Sequence, residues 1–213
     1  MRNILCILCF LCAVRSAPGR TMKDFFTAAP DRLLPLLTRE NRLDCVDFRA
    51  SKMKATVKNR FGENSTLEVL TERYARLQLT QASRVEMKLL LNDTDSVVCF
   101  VHTLFSPTGE SKIAFYDTRW HPLVLKKYMK MPEIKEFIRD NVSHKEVRKV
   151  LQKAGVPLLS ASLDEDSDTL TLRLHLDDGN PELKKELAPV VRTELLYYWR
   201  EGRFVKFGQG AKK

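Results

Sequence analysis

Between residues 74 and 91 apolar and polar positions alternate: Ala75, Leu77 and Leu79 against Arg76 and Gln78, then Val85, Met87 and Leu89 against Arg84, Glu86 and Lys88. A period of two marks half-buried strands, because successive side chains of an extended chain point to opposite faces. Residues 96–105 are nearly all apolar, as a central strand would be, and turns at Asn92-Asp93-Thr94-Asp95 and Pro107-Thr108-Gly109-Glu110 set them off. Residues 112–116 complete this meander. Alternation returns at Leu159, Ala161 and Leu163, then at Leu170, Leu172, Leu174 and Leu176 interleaved with Thr169, Thr171, Arg173 and His175. Segments 194–199 and 203–207, joined across Glu201-Gly202, read as a closing hairpin.

A helical period frames these strands. Thr21 and Asp24 before Phe25-Phe26 make a capping-box pattern that opens a helix over 21–29, and a short helix is expected over 31–37. Residues 39–52 predict another, with Leu43, Val46 and Ala50 inward. Pro132 with Ile134, Phe137 and Ile138 at helical spacing defines a helix in the middle of the chain. The next is the best specified: Ser143 and Glu146 form a capping box, Val147, Val150, Leu151 and Ala154 a stripe, and Gly155 and Pro157 a stop. A last short helix starts at Asn180-Pro181 and ends at Pro189.

The order helices, strands, helices, strands implies an α+β class, an antiparallel sheet with helices packed on one face. It reads either as two αα-plus-sheet units in tandem, 17–118 and 119–213, or as one continuous domain without internal symmetry. Alternation in the strands leaves the other sheet face wet, and that face is expected to be open.

Composition changes the picture at the N-terminus. The 213 residues are 44% hydrophobic and 30% charged, with 8 Gly and 9 Pro, a balance that excludes disordered and collagen-like chains. No apolar run approaches the ~20 residues of a transmembrane helix. Residues 1–16 read as a signal peptide: Arg2 supplies the positive start, residues 4–14 the apolar core, and Ser16-Ala17 the small residues for cleavage. Cys12 follows Phe10-Leu11, which disfavours lipid attachment, and cleavage leaves only Cys45 and Cys99, too few for a disulfide framework. Cys99, within Val97-Val98-Cys99-Phe100-Val101, reads as a buried thiol behaving as a small hydrophobe.

The phrases Met22-Lys23-Asp24-Phe25-Phe26-Thr27-Ala28-Ala29-Pro30-Asp31, Leu33-Leu34-Pro35-Leu36-Leu37, Asn41-Arg42-Leu43-Asp44, Val85-Glu86-Met87-Lys88-Leu89-Leu90 and Asp95-Ser96-Val97-Val98-Cys99 resemble an uncharacterised family of secreted Bacteroidetes proteins, over nearly the whole mature chain. The resemblance implies a periplasmic or extracellular location and brings no activity, cofactor or catalytic residue. It also implies that Asn64-Ser65-Thr66, Asn92-Asp93-Thr94 and Asn141-Val142-Ser143 match the N-glycosylation pattern by chance, and that Ser96 and Thr169, each after an Asp and before an apolar residue, are O-glycosylation candidates.

Chemistry is sparse. Cys99 and His102, three apart on a strand, face opposite ways and cannot form a nucleophile–base pair. No Gly-x-Ser-x-Gly is present, and histidines at 102, 121, 144 and 175 lack metal spacing. Asp164, Asp166 and Asp168 imitate a calcium loop, but Thr169 stands at the glycine position and His175 at the glutamate position, which favours a solvated hairpin turn. No cofactor is implied.

The formal charge is +9, and residues 123–154 hold nine Lys/Arg against four acids. That stretch reads as a solvated helix face rather than a nucleic-acid surface, since no exposed aromatics interleave with its cations. The expectation is an exported, non-catalytic binding protein of the cell envelope, with an acidic protein or an anionic glycan as partner. Its site is placed on the open sheet face, at Arg76, Gln78, Arg84, Glu86, Lys88, Thr171, Arg173 and His175. The alternative is an envelope hydrolase whose site is assembled from distant segments. Intact mass of the exported protein should give a chain starting at or near Ala17 without lipid; an intact Met1 or a lipidated Cys12 would refute this.

Overall fold

A computed structural model of the chain describes residues 19–92, 95–105, 108–140, 142–153, 158–175 and 181–208. The expected signal peptide, the stop at Gly155 and Pro157 and the start at Asn180 lie outside the described residues. Two helices, α1 (Met22–Ala28) and α2 (Arg39–Ala50), precede seven strands: β1 (Thr56–Lys58), β2 (Asn64–Leu70), β3 (Tyr74–Thr80), β4 (Ser83–Leu91), β5 (Ser96–Leu104), β6 (Glu110–Tyr116) and β7 (Pro122–Leu123). Then come α3 (Leu125–Tyr128), a short tight helix (Ile134–Phe137), α4 (His144–Lys153), β8 (Leu158–Leu163), β9 (Thr169–His175), α5 (Pro181–Leu187), β10 (Glu194–Arg200) and β11 (Arg203–Lys206). Within each sheet every strand pairs antiparallel with its sequence neighbours, which gives one seven-stranded and one four-stranded meander.

Local chemistry accounts for the element ends. The Thr21 N–H donates to Asp24 Oδ2 at 2.8 Å at the start of α1, and Ser143 and Glu146 exchange hydrogen bonds at the start of α4, both as the capping patterns predict. The expected helix over 31–37 is instead a series of turns. Pro35 lacks the amide a helix needs there, and the buried Arg42 draws the segment down by donating to Leu37 O (2.8 Å) and Asp31 Oδ1 (3.1 Å). Strands β1 and β2 were not anticipated; Asn64-Ser65-Thr66 begins β2, with Ser65 buried and donating to Leu79 O. In the hairpin β10–β11, Glu201 (φ 50°) and Gly202 (φ 74°) take the left-handed conformations a two-residue turn of this hand requires.

The seven-stranded sheet is the middle of three layers. Leu77, Leu79, Val85, Met87, Leu89, Val98 and Phe100 pack against Met22, Phe25, Phe26, Cys45 and Val46 of the helices. The opposite face, through Tyr74, Leu90, Val97, Cys99, Val101, Ile113 and Phe115, packs against Leu163, Leu170, Leu172, Leu195, Tyr197 and Phe204 of the second sheet. Cys45 and Cys99 therefore sit in different cores on opposite sides of one sheet, both as free thiols.

The face expected to be open is thus covered by the second sheet. Glu86 and Lys88, 4% and 2% exposed, are polar residues of the interior. Lys88 Nζ donates to Asp164 O (2.9 Å) and Glu165 O (2.7 Å) in the β8–β9 turn, and Arg73 grips Asp168 Oδ1 and Oδ2 in the same turn at 2.7 Å each. Ser111 Oγ accepts from the Ala161 N–H at 2.8 Å, which ties β8 to β6, and Trp199 Nε1 donates to Leu91 O at 2.8 Å.

Truncating a buried, hydrogen-bonded cation strands its acceptors, whereas an exposed ion pair contributes little. Lys88→Ala should lower the unfolding free energy by about 3 kcal/mol in urea melts, against about 0.5 kcal/mol or less for Arg173→Ala at its exposed pair with Glu194. Similar losses in both variants would contradict this layering.

Candidate functional site

The eight residues assigned to a single face occupy two different surfaces. Arg76, Gln78, Arg84, Glu86 and Lys88 share the side of the first sheet that meets the second. Glu86 Oε1 accepts from the Tyr74 hydroxyl at 2.6 Å; burial pushes its carboxyl above the ordinary range, against the lowering by that hydrogen bond. Burial likewise pushes the Lys88 ammonium down. At the uncovered margin Arg76 pairs with Glu68 (3.0 Å), and Arg84 donates to Gln78 Oε1 (3.3 Å) while lying over the Phe105 ring. Thr171, Arg173 and His175 lie on the outer face of the second sheet, where Arg173 pairs with Glu194 (2.6 Å). The site expected from alternation is not assembled.

Other sequence candidates resolve into structure. His175 Nε2 and Ser160 Oγ are hydrogen-bonded at 2.8 Å, and a Cβ on Gly109 would stand 3.3 Å from each residue, so the β5–β6 loop closes over the pair. Burial pushes the Cys45 thiol up to about 11 and the Cys99 thiol higher still, both unreactive at neutral pH. Asp164 Oδ1 accepts from Asp166 N, Ser167 N and Ser167 Oγ, which makes the three-aspartate stretch a self-bonded turn. Among the described residues no group of three or more His, Cys, Asp or Glu is placed to hold a metal. Ser96 opens β5 half-buried, and Thr169 bonds Ser167 Oγ at 2.8 Å.

Concavity and charge coincide elsewhere. A cavity of about 440 Å³ opens between the segment 126–136 and the hairpin β10–β11. Its floor is Tyr128, Met129, Tyr197 and Phe204, all buried; its rim carries Lys126, Lys127, Lys130, Lys135, Arg203 and Lys206. Tyr128 fixes the geometry: its ring stacks on Phe115 (5.0 Å) and lies nearly parallel to Trp199 (6.1 Å, 7°), pinning α3 between β6 and β10. Glu136, the one carboxylate in the lining, accepts from Lys206 Nζ at 2.9 Å, and Lys135 pairs with Glu133 at 2.7 Å. Among the described residues no carboxylate pairs with Lys126, Lys127, Lys130 or Arg203. Such a groove suits an anionic ligand with some apolar surface.

The signal for half of this groove was visible as the basic stretch 123–154. The structure divides that stretch: Lys126, Lys127, Lys130 and Lys135 line the groove, while Lys145 and Arg148 are exposed on α4. The side chains of Lys149, Val150 and Leu151 lie outside what is described. Tyr197, Arg203, Phe204 and Lys206 come from some seventy residues later, with no local pattern announcing them.

The family model described as "Protein of unknown function (DUF3256)" matches residues 14–204, and the chain belongs to that family. A solved structure of a domain of an uncharacterized protein from Porphyromonas gingivalis W83 is similar to it, with a TM-score of 0.77 and 27% identity, over 88% of this chain and 98% of that one. The solved structure bears out the α+β fold class, and together with the family match it bears out the kinship with uncharacterised Bacteroidetes proteins. No curated protein matches the chain.

Burial pushes the Glu136 carboxyl up, but the hydrogen bonds from Lys206 and the Glu133 amide, with the charges of Lys206 and Lys130, outweigh it and hold the group below its ordinary 4.5. A depressed folded value stabilises the protein above that ordinary pKa, and the contribution is lost as pH falls through the folded value. Glu136→Gln should therefore lower Tm at pH 7, and the gap from the parent should close as pH falls below 4.5. A gap that persists unchanged into acid would show that the ion pair contributes nothing.

Proposed function

We propose that this member of the DUF3256 family is a non-catalytic binding module of the cell envelope that takes an anionic partner in the lysine-lined groove. The observation that carries the reading is the concentration, among the described residues, of six cations around an apolar floor with one carboxylate, itself engaged by Lys206. Unpaired cations at the rim raise the local concentration of anions, and the buried aromatic floor supplies contact area once they arrive. The signal-peptide pattern of residues 1–16 supports export. A hydrolase reading finds less support, because the hydroxyl–imidazole contact of Ser160 and His175 is roofed by Gly109.

Calorimetric titration with a ten-residue poly-L-glutamate and with a sulfated octasaccharide tests the reading. At least one probe should bind, with affinity that falls as salt rises. Lys127→Glu with Lys130→Glu should weaken that binding more than tenfold, at least about 1.4 kcal/mol, while Arg84→Glu with Arg173→Glu leaves it unchanged. Absence of binding by both probes, or loss of binding in the second variant instead of the first, would refute the groove.

A further inference from the structure

We infer that the occupant of this groove is an extended acidic peptide segment that adds as a further strand to the edge of β11. The inference rests on the groove reading and specifies the partner's chemistry. Among the described residues four strands end the two sheets, and all four are short or tied; β11 has four residues. β1 has three residues, β7 has two and starts on Pro122, and the edge of β8 is tied to β6 where Ser111 Oγ takes the Ala161 N–H. Unpaired edges are liabilities that folds normally suppress, so the groups that β11 turns toward a cationic groove are a feature to explain.

Register identifies which groups of β11 face outward. The pairs are Arg200 with Arg203, Trp199 with Phe204, Tyr198 with Val205 and Tyr197 with Lys206, and the Phe207 N–H donates to Leu196 O at 2.7 Å. Hydrogen-bonded and non-bonded pairs alternate in an antiparallel ladder, so Arg203, Val205 and Phe207 bond β10, whereas the N–H and C=O of Phe204 and Lys206 point away from it. Among the described residues no hydrogen bond reaches these outward groups. They belong to residues that line the groove, so a chain lying there meets main-chain donors and acceptors on one side and Lys126, Lys127 and Lys130 on the other.

An added strand lies about 4.8 Å from its neighbour, and its hydrogen bonds are indifferent to side-chain identity. Selectivity then falls to charge, and the rim selects acidic side chains. A glycan could satisfy the cations but would leave the outward amides without the regular pattern of acceptors that a peptide backbone offers.

The test uses the full chain with poly-L-glutamate of ten residues, which self-repulsion keeps extended at neutral pH. Amide hydrogen exchange should slow more than tenfold at Phe204 and Lys206 when the peptide binds. The same peptide N-methylated at every residue keeps its carboxylates but has no donors, and should bind at least tenfold more weakly. Unchanged exchange at Phe204 and Lys206, or equal affinity for the methylated peptide, would overturn strand addition. If the sulfated octasaccharide binds and the peptide does not, strand addition fails while the groove stands. If neither probe binds, or if Lys127→Glu with Lys130→Glu has no effect on either, the groove itself fails.

Discussion

The grip of Arg73 and Lys88 on the β8–β9 turn is the interaction on which the rest of the architecture depends. It joins a cation from the β2–β3 turn and another from the middle of β4 to a single turn of the second sheet. Burying Lys88 is costly in itself, and burial depresses its pKa accordingly. Two carbonyls and the nearby Asp168 offset that cost only in one alignment of the sheets. An apolar contact would tolerate sliding; a buried ammonium held by Asp164 O and Glu165 O does not. The seam therefore fixes how the second sheet sits on the first, and hence where β11 ends up.

That alignment carries through an aromatic relay to the groove. Phe115 on β6, Tyr128 on α3 and Trp199 on β10 stack on one another, and Phe204 on β11 contacts both Phe115 and Trp199. Trp199 also bonds the end of β4 through Leu91 O. A helix of one turn has no independent stability, so α3 is held in place by packing, with Tyr128 clamped in this stack and Leu125 and Met129 against the same core. Lys126 and Lys127 are thereby carried on a rigid element, and the groove is preformed instead of being assembled around its ligand.

The parts of the fold written in short-range patterns were legible: the alternation of β3 and β4, the apolar run of β5, the capping boxes of α1 and α4 and the Glu201-Gly202 turn all lie within a few residues of the structure they specify. The two-residue period also reported two faces correctly. It could not report what covered the polar one, because Glu86 and Lys88 look wet in sequence and are satisfied by Tyr74 and by the second sheet at residues 163–168. The turns at 31–37 and the strand β2 were missed for a related reason. Arg42 and Ser65 are polar residues satisfied inside the fold, and each reads as surface until its partners are known. The groove was half legible, since the cations of 126–135 cluster in sequence while Arg203 and Lys206 join them only through the docking of the last hairpin.

Charge at the rim then follows a different logic from charge in the seam. Between the sheets each cation is matched to acceptors, so polarity there specifies geometry. At the groove, like charges are brought together by rigid elements, and among the described residues Lys126, Lys127, Lys130 and Arg203 have no carboxylate partner, which works against the compact state through mutual repulsion. Lys206 is held by Glu136, and Glu136 is in turn fixed by the Glu133 amide at 3.2 Å. This one internal anion is enough to seat the side chain next to β11 and too little to neutralise its neighbours. Among the described residues the groove holds cations without a carboxylate partner and main-chain groups of β11 without a hydrogen bond, so two demands, for negative charge and for main-chain hydrogen bonds, meet in the same place. A single extended acidic segment answers both.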